Sequence, residues 1–331
     1  MKQKTAILGC GNMGTALALV LAESGRNISL YSIEDDVTDE INNRHRNTKY
    51  LADTKLPKDI TATGDIKEAL RGANMVIFAV PSFALQSVTT LALPYIGKNT
   101  LIGCITKGFD SQSSLPLGLR MMSWLPLQMQ KNYCLIGGPA IATELAHSKP
   151  SAIEIASENP TAAKKMAQAF QGDTLKAATT SDLPGVAYAM ALKNIYAIGL
   201  GLCEGLKYPM NTKALIMTQA IMEMGAILKA IGAKSETAMS LAGLGDLIVT
   251  SFSTHGRNRT YGEKLVGART KDPKKLGLTT VEGIAAAEIG KTMTRRLKLK
   301  APLMDAICKC LAADSRFEQP FKDYLMKLRL S

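Results

Sequence analysis

Lys193 and Asn194 stand in the middle of a long apolar stretch. Between Leu183 and Cys203 they are the only strongly polar side chains. A helix that is apolar on nearly every face is normally buried, and lysine is almost never buried without a partner. Burial disfavours the ammonium form and lowers a lysine pKa, so that the amine can act as a base near neutral pH. Lys193 is therefore a candidate acid–base group, unless its side chain reaches solvent from the edge of a core helix.

A second lone charge, Asp246, lies in the apolar, glycine-containing segment SLAGLGDLIVT (240–250). An isolated carboxylate in such a run needs a partner. Lys193 or a nearby arginine could supply it. The pair would then belong to a substrate site or would have a purely structural role.

The segment HGRNRTYG (255–262) places Arg257 and Asn258 beside glycines. A guanidinium donates a bidentate pair of hydrogen bonds to phosphate, and an amide can add a further one. These two residues are therefore a candidate phosphate-binding site. The alternative is an exposed basic loop.

The N-terminal part of the chain has the pattern of a β-α-β unit. The order is the apolar run TAILG (5–9), the glycine motif GCGNMG (9–14), the helical pattern TALALVLAESG (15–25) and the second strand NISLYS (27–32). A GxGxxG motif between a strand and a helix is typical of dinucleotide binding.

Each glycine of this motif has its own task in such a turn. Gly9 permits the tight turn, Gly11 lets the backbone approach a pyrophosphate, and Gly14 allows close packing of helix on strand. The helix start adds N–H groups and the positive end of the helix dipole. The alternative is a glycine-rich turn that binds no ligand.

Acidic residues follow the second strand. Glu34 could hold the ribose hydroxyls of NAD and repel the 2′-phosphate of NADP, and Asp35 and Asp36 add to that preference. Because of Arg44 and Arg46, NADP remains an alternative cofactor. The acidic residues could equally form a solvated turn at the start of a helix.

Further apolar strands alternate with helical segments, which predicts a mostly parallel sheet covered by helices on both faces. Ligands then collect at the carboxyl ends of the strands. Lys107 and Gly138 lie at the carboxyl ends of two of these segments, so we expect both near the ligand, although Lys107 could be an ordinary loop lysine. The clearest of these strands are MVIFAVP (75–81), TLIGCITKG (100–108), YCLIGGP (133–139) and SAIEIAS (151–157).

The pattern changes near residue 183, where Asp182 can cap a helix and Pro184 suits its first turn. Helical patterns follow, without strand alternation. The sequence therefore predicts an α/β protein with a Rossmann-type domain over 1–182 and an all-α substrate-binding domain over 183–331.

The composition excludes several classes of protein. Hydrophobic residues make up 46% of the 331 residues, which supports sizeable cores. The chain has no run of about eighteen apolar residues, so we expect no membrane-spanning helix. Asn12 and the glycines near the N-terminus argue against a signal peptide. The six cysteines form no CxxC pair and the three histidines form no metal cluster. We expect a cytoplasmic protein with reduced thiols and no metal.

The net charge of +12 is compatible with nucleic acid, a membrane surface or an anionic small substrate. The densest basic cluster, TRRLKLK (294–300), is interpreted as a solvated helix face. Aromatic residues are only 5% of the chain and show no base-stacking pattern. We expect a phosphorylated small molecule as partner, no nucleic acid, and at most peripheral contact of this cluster with anionic lipid.

Nine motifs together carry a family resemblance. The chain resembles bacterial NAD(P)-dependent glycerol-3-phosphate dehydrogenases from about residue 5 to past residue 283, and the combination is far more specific than the glycine motif alone. The motifs occur in the order GCGNMGTALA, INNRHRNTKYL, VPSFAL, TKGF, GGPAIATE, ALKN, GLGDLIVT, GRNR and VEG.

The resemblance implies roles for the candidate residues. Lys193 matches the catalytic proton acceptor, and Lys107 matches a lysine that touches both cofactor and substrate. Asp246 matches a substrate-site aspartate. Arg257 and Asn258 match the residues that hold the substrate phosphate, and the arginine also reaches the cofactor.

Further positions are implied in the same way. Gly138 matches a backbone contact to the substrate. Ala140 and Gly256 fall on substrate-binding positions where the family commonly has serine, so those hydroxyl contacts are missing here. The remaining cofactor-contacting positions are Asn12, Met13, Ala142, Thr280 and Glu282.

The cofactor-binding positions also depart from the family pattern at two places. The family often has Ser-Trp where this chain has Asn12-Met13. An arginine or histidine is frequent after the second strand, where this chain has Ile33-Glu34. This last departure favours NAD over NADP.

The resemblance implies an oxidoreductase that interconverts sn-glycerol 3-phosphate and dihydroxyacetone phosphate with NAD or NADP, supplies glycerol 3-phosphate for phospholipid synthesis, and forms a homodimer. One alternative is a related dehydrogenase that acts on a hydroxy acid or a hydroxyacyl thioester. The other is a non-catalytic NAD sensor that binds nucleic acid through its basic surface.

Overall fold

The structure of the protein is a computed structural model that describes residues 2–253 and 256–329. The chain forms two compact units. The first comprises Met1–Lys107 and Leu117–Leu183, and the second comprises Gly108–Pro116 and Pro184–Ser331.

The first unit is built on an eight-stranded sheet in the order β10-β9-β8-β7-β6-β1-β2-β5. Neighbouring strands are parallel, except that β9 runs antiparallel to β8. The strands are β1 (Lys4–Leu8), β2 (Asn27–Tyr31), β3 (Arg46–Asn47), β4 (Ala52–Lys55), β5 (Ile60–Thr63), β6 (Met75–Phe78), β7 (Leu101–Cys104), β8 (Tyr133–Gly137), β9 (Ser151–Ala156) and β10 (Leu175–Thr180), of which β3 and β4 form a separate antiparallel pair.

Sixteen α-helices lie within the described residues. In the first unit they are α1 (Asn12–Glu23), α2 (Asp35–Arg44), α3 (Thr48–Leu51), α4 (Ile66–Leu70), α5 (Leu85–Ala92), α6 (Leu117–Trp124), α7 (Leu127–Gln130), α8 (Ala142–Ala146) and α9 (Pro160–Phe170). In the second they are α10 (Leu183–Gly205), α11 (Met210–Ala230), α12 (Asp246–Phe252), α13 (Arg257–Leu265), α14 (Glu282–Arg296), α15 (Pro302–Ala312) and α16 (Gln319–Lys327).

The strand order explains why helices cover both faces of the sheet. The chain moves outward from β1 to β2, then returns past β1 to β6 and β7 in the opposite direction. Right-handed crossovers therefore place α1 and α4 on opposite faces. Strands such as β6 are buried along their whole length, as expected for a sheet covered on both sides. The predicted Rossmann-type sheet is confirmed.

The second unit surrounds α10, whose middle is buried on every face. Glycines let α13 approach it closely: a Cβ at Gly201 would lie 2.0 Å from the Arg259 carbonyl oxygen, and one at Gly262 would lie 2.1 Å from the Ile198 carbonyl oxygen. The described residues of 184–329 form helices and no strand. This agrees with the predicted all-α character.

One loop is placed differently from the predicted domain boundary. The boundary predicted at 182/183 assigns Gly108–Pro116 to the first domain, but this loop belongs to the second unit, because chain order alone does not show where a loop packs.

Helix α10 is long and apolar enough to cross a membrane by length and composition. Its most apolar window is 94% buried inside the protein, so α10 is a core helix.

Candidate active site

The glycine turn follows β1 and begins α1. Gly9 has a φ of +116°, which favours glycine, and its N–H donates to the Tyr31 carbonyl oxygen at 3.0 Å. A Cβ at Gly14 would lie 2.0 Å from the Gly9 carbonyl oxygen. These two glycines are therefore required by the protein's own packing.

Gly11 differs, because a Cβ there would meet no protein atom within 4 Å. No side chain in the described part of the chain caps the start of α1, for which Gly11 is the N-cap. An open backbone at an uncapped helix start is a suitable cradle for a pyrophosphate. The turn therefore fits a dinucleotide cofactor.

Other predicted residues follow the carboxyl ends of parallel strands at the same edge of the sheet. Lys107 is half-buried three residues after β7, and Gly138 follows β8 with a φ of +121°. A Cβ at Gly138 would lie 3.1 Å from the Ala152 carbonyl oxygen. Ala140 and Ala142 are partly buried and pack against the core of this unit.

Glu34 lies just after β2, and its carboxylate already has two partners. Lys49 forms an ion pair with Oε1, and the Tyr50 hydroxyl donates to Oε2 at 2.8 Å. The hydrogen bond from Lys49, followed by that from Tyr50, lowers the pKa of Glu34. A ribose at this position would have to share the carboxylate with Lys49, which sequence reasoning did not foresee.

Asn12 also contacts the short helix α3, which carries these partners. Its Nδ2 donates to the Tyr50 carbonyl oxygen at 2.9 Å, whereas Met13 packs against the core of the first unit. Both residues lie in the first turn of α1. Asn12 therefore links the glycine turn to the Glu34 region.

In the second unit Lys193 is buried, with 4% of its side chain exposed. Its Nζ donates to Asp246 Oδ1 at 2.6 Å and to Thr250 Oγ1 at 2.6 Å. Asp246 is 2% exposed. The ion pair favours the ammonium form of the lysine. The alternative that Lys193 reaches solvent is wrong, and of the partners considered for Asp246 the structure selects Lys193.

Local structure explains how Asp246 reaches this position. The π-helical turn Leu241–Gly245 leads directly into α12, which begins at Asp246. Gly243 fits because a Cβ there would lie 2.3 Å from the Ala238 carbonyl oxygen. Thr250 lies one helical turn after Asp246, so the i, i+4 spacing on α12 is the signal that could have revealed it.

Asn194 begins a chain of hydrogen bonds that joins three helices. Its Nδ2 donates to Glu282 Oε2 at 3.3 Å, and Asn258 Nδ2 donates to Asn194 Oδ1 at 2.9 Å. The Gly283 N–H donates in turn to Asn258 Oδ1 at 2.9 Å. Asn194 and Asn258 are both buried. The motifs ALKN, GRN and VEG thus meet in one polar network, a contact that sequence reasoning missed for Asn194.

The two arginines of GRNR have different surroundings. Arg257 is exposed at the first position of α13. Arg259 lies 3.2 Å from Glu263 and 3.9 Å from Glu204, and only 15% of its side chain is exposed. Arg259 is therefore neutralised by the protein, and Arg257 presents its guanidinium to solvent.

The remaining predicted positions flank this network. Gly256 precedes Arg257, and a Cβ there would lie 2.3 Å from the Thr250 carbonyl oxygen, so the missing serine is accounted for by backbone packing. Thr280 is exposed, two residues before the start of α14 at Glu282. Within the described residues no group of three His, Cys, Asp or Glu side chains could hold a metal ion.

Comparisons with known proteins match both halves of the chain. Residues 4–163 match the model of the NAD-dependent glycerol-3-phosphate dehydrogenase N-terminus, and residues 182–322 match that of its C-terminus.

Individual relatives agree with this match along nearly the whole length. The chain is 32% identical over 330 residues to glycerol-3-phosphate dehydrogenase [NAD(P)+] of Bacillus velezensis, covering 99% of this chain and 95% of that protein. It is 34% identical to the enzyme of the same name from Carboxydothermus hydrogenoformans, covering 94% and 92%. The crystal structure of glycerol-3-phosphate dehydrogenase from Coxiella burnetii superimposes with a TM-score of 0.86 at 32% identity, covering 99% of both chains. The chain therefore belongs to the NAD-dependent glycerol-3-phosphate dehydrogenase family.

Proposed function

We propose that the protein interconverts sn-glycerol 3-phosphate and dihydroxyacetone phosphate with NAD(H) or NADP(H). The observation that carries this proposal is the buried Lys193, held at 2.6 Å from both Asp246 and Thr250. Family membership supplies the substrate and cofactor class and argues against the hydroxy-acid, hydroxyacyl and nucleic-acid alternatives.

The glycine turn at Gly9, Gly11 and Gly14 would hold the dinucleotide, with the start of α1 facing its pyrophosphate. The nicotinamide ring, when bound, accepts or supplies the hydride at substrate C2. Asn12, Met13, Ala142, Thr280 and Glu282 are the further positions that we assign to the cofactor from the family pattern.

Arg257 would anchor the substrate phosphate, because it is exposed and a guanidinium donates two parallel hydrogen bonds to phosphate. Asn258 is buried and fixes the start of α13 through Asn194 and Gly283. We therefore propose that Asn258 both contacts the phosphate and orients the helix start that carries Arg257.

Lys193 would move the proton at the C2 oxygen. In the direction of reduction its ammonium polarises the carbonyl and gives the oxygen a proton. In the direction of oxidation the neutral amine takes the hydroxyl proton. Asp246 and Thr250 hold Nζ in place, so the proton donor does not have to be reoriented during the reaction.

From the family pattern we also assign to Lys107 contacts with both cofactor and substrate, and to Gly138 a backbone N–H contact with the substrate. Ala140 and Gly256 lie at substrate positions without a hydroxyl to offer. The polar contacts of the substrate would therefore depend on Lys107, Arg257 and Asn258.

The experiment that tests this function follows absorbance of the nicotinamide band with purified protein, dihydroxyacetone phosphate, and NADH or NADPH in parallel. We expect oxidation that depends on the substrate and a higher rate with NADH. Dihydroxyacetone, which lacks the phosphate, is the matched control and should react far more slowly. Cofactor binding without any oxidation would contradict the proposal.

The wider setting is also part of the proposal. From the family resemblance and the composition, we propose that the protein supplies glycerol 3-phosphate for phospholipid synthesis, is cytoplasmic and forms a homodimer. We also propose that residues 294–300 make at most peripheral contact with lipid. The buried position of α10 supports a protein that does not span a membrane. Mass measurement in solution tests the dimer, and co-sedimentation with anionic vesicles tests the lipid contact.

A further inference from the structure

Arg26 lies between α1 and β2 and is only 8% exposed. Its Nε donates to Thr5 Oγ1 at 2.6 Å, Nη1 to Gln3 Oε1 at 2.5 Å, and Nη2 to Asn74 Oδ1 at 2.6 Å. All three acceptors are neutral. The described residues place no carboxylate within 4.0 Å of this guanidinium.

A buried arginine without a counter-charge is unusual, because charged groups are almost never buried unless they are paired. Desolvation lowers the pKa of Arg26. A guanidinium carries five N–H donors, and three of them have the partners given above. One N–H on Nη1 and one on Nη2 are left for another acceptor.

Arg26 lines a cavity of about 580 Å³. This volume lies within the range of about 300–1,000 Å³ that is typical of small-molecule sites. Lys165 on α9 lines the same cavity and adds a second positive charge, while Asn99 and Gln168 add amides. No acidic side chain is among the described residues that line it.

The cavity lies away from the glycine turn. Gln3 precedes β1, Asn74 precedes β6 and Asn99 precedes β7, so the cavity lies at the amino ends of these parallel strands. Gly9 and Gly14 lie at the carboxyl end of β1. The dinucleotide site therefore does not account for this cavity.

We propose that this cavity binds the phosphoryl group of a small phosphorylated metabolite, held by Arg26 and Lys165. A phosphate monoester carries a charge of about −1.5 to −2 at pH 7, which matches the two cations. The two remaining N–H groups of Arg26 suit phosphate oxygens, and the amide side chains suit a polar remainder of the ligand. The bound anion would supply the counter-charge that the protein does not.

The test measures the rise in melting temperature that inorganic phosphate causes, relative to sodium chloride of equal ionic strength. It is made in an Arg257→Ala background, so that the proposed substrate anchor does not contribute. Lys165→Ala is the main variant. Lys164→Ala is its matched control, because Lys164 is an exposed neighbour on α9 that does not line the cavity.

We expect Lys165→Ala to weaken the apparent phosphate affinity about tenfold, because it removes a charge-assisted contact to the phosphate. Lys164→Ala should leave it unchanged. Arg26→Gln should reduce the rise to the part that phosphate at other sites contributes. Phosphate bound at the glycine turn contributes equally to every variant. Equal losses in the two lysine variants, no rise beyond chloride, or acetate as effective as phosphate would each overturn the proposal.

Discussion

The two units each hold a pair formed by a lysine and a carboxylate, and the pairs differ mainly in burial. In the second unit Lys193 and Asp246 have 4% and 2% of their side chains exposed. In the first, the corresponding exposures of Lys49 and Glu34 are 47% and 30%. The chemical groups are the same, but water screens one pair and is excluded from the other.

This difference determines what each pair can do. An exposed pair contributes little to stability, so either partner can be given up to a ligand without damage to the fold. A buried pair is fixed in place, since removing one partner leaves an uncompensated charge in the interior. The buried pair therefore suits proton transfer at a defined atom, and the exposed pair suits selection between cofactors that differ by one phosphate.

The largest expected effect comes from breaking the buried pair. Lys193→Met should lower kcat by about 10²- to 10⁴-fold, the usual contribution of a general acid or base. It should also destabilise the fold by about 3–5 kcal/mol, because Asp246 is left unpaired. Steady-state kinetics and urea unfolding measure the two effects separately.

A double variant separates the chemistry from the stability. Lys193→Met with Asp246→Asn should recover much of the lost stability and none of the activity. Lys229→Ala, which alters an exposed lysine of α11, is the control and should change neither. Near-normal turnover in the double variant would remove Lys193 from the mechanism.

Glu223 extends the comparison to a buried carboxylate for which the described residues place no cation within ion-pair distance. It accepts the N–H groups of Leu303 at 2.6 Å and of Met304 at 3.0 Å, at the start of α15. Tyr196 lies 3.4 Å away, and Asp305 adds a like charge. Burial raises the pKa of Glu223 to about 7 from its ordinary value of 4.5, despite these hydrogen bonds.

The sign of the resulting pH dependence follows from this raised pKa. Between pH 4.5 and 7 the folded protein holds a proton that the unfolded chain releases, so the free energy of unfolding falls as pH rises. The fall should be about 3 kcal/mol, since one pKa unit corresponds to about 1.36 kcal/mol. Urea unfolding at several pH values measures it. Glu223→Gln should abolish this part of the slope, and an unchanged slope in that variant would contradict the assignment.

The two arginines of α13 provide a smaller, matched test of the substrate anchor. Arg257→Ala should raise KM for dihydroxyacetone phosphate about 10- to 100-fold, because a charge-assisted hydrogen bond contributes about 1.5–3 kcal/mol. Arg259→Ala should leave KM nearly unchanged, since Glu263 and Glu204 already neutralise that side chain. Equal rises in KM would show that net charge, and not the position of Arg257, attracts the substrate.

The glycines of the first unit can be tested in the same paired way. Gly14→Ala places a Cβ 2.0 Å from a backbone oxygen and should destabilise the protein by about 1–3 kcal/mol. Gly11→Ala meets no protein atom, so stability should hold while the dissociation constant for NADH rises about tenfold. Fluorescence titration and thermal unfolding distinguish the two outcomes. Loss of stability in Gly11→Ala would show that the open space belongs to the fold and not to the cofactor.

The sequence was sufficient to predict features that depend on local patterns. The sheet follows from apolar runs that alternate with helical segments, and the burial of Lys193 follows from its apolar neighbours. Asp246 was expected to need a partner for the same reason. In each case a rule about neighbouring residues carries the conclusion.

Features that depend on long-range packing could not be predicted in this way. Glu34 and Lys49 meet because the chain after α2 turns back and places α3 beside Glu34, and no periodicity marks that contact. Asn194 meets Asn258 and Glu282 only because glycines let α10, α13 and α14 approach one another: a Cβ at Gly283 would lie 2.5 Å from the Asn194 carbonyl oxygen. The glycines were visible in the sequence, but their partners were not.

The smallest expected effect concerns the exposed pair and the choice of cofactor. Glu34→Gln removes a negative charge that repels the 2′-phosphate of NADP and releases Lys49, whose ammonium attracts it. The ratio of kcat/KM for NADPH to that for NADH should therefore rise, by roughly threefold to tenfold, since exposed charges act weakly across water. Asp39→Asn removes an equal charge from the exposed face of α2 and is the control. Added salt should reduce the shift, because it screens exposed charges more than buried ones. If Asp39→Asn shifts the ratio as much as Glu34→Gln, the cofactor preference reflects the overall charge of this surface. The Glu34–Lys49 pair then does not determine that preference.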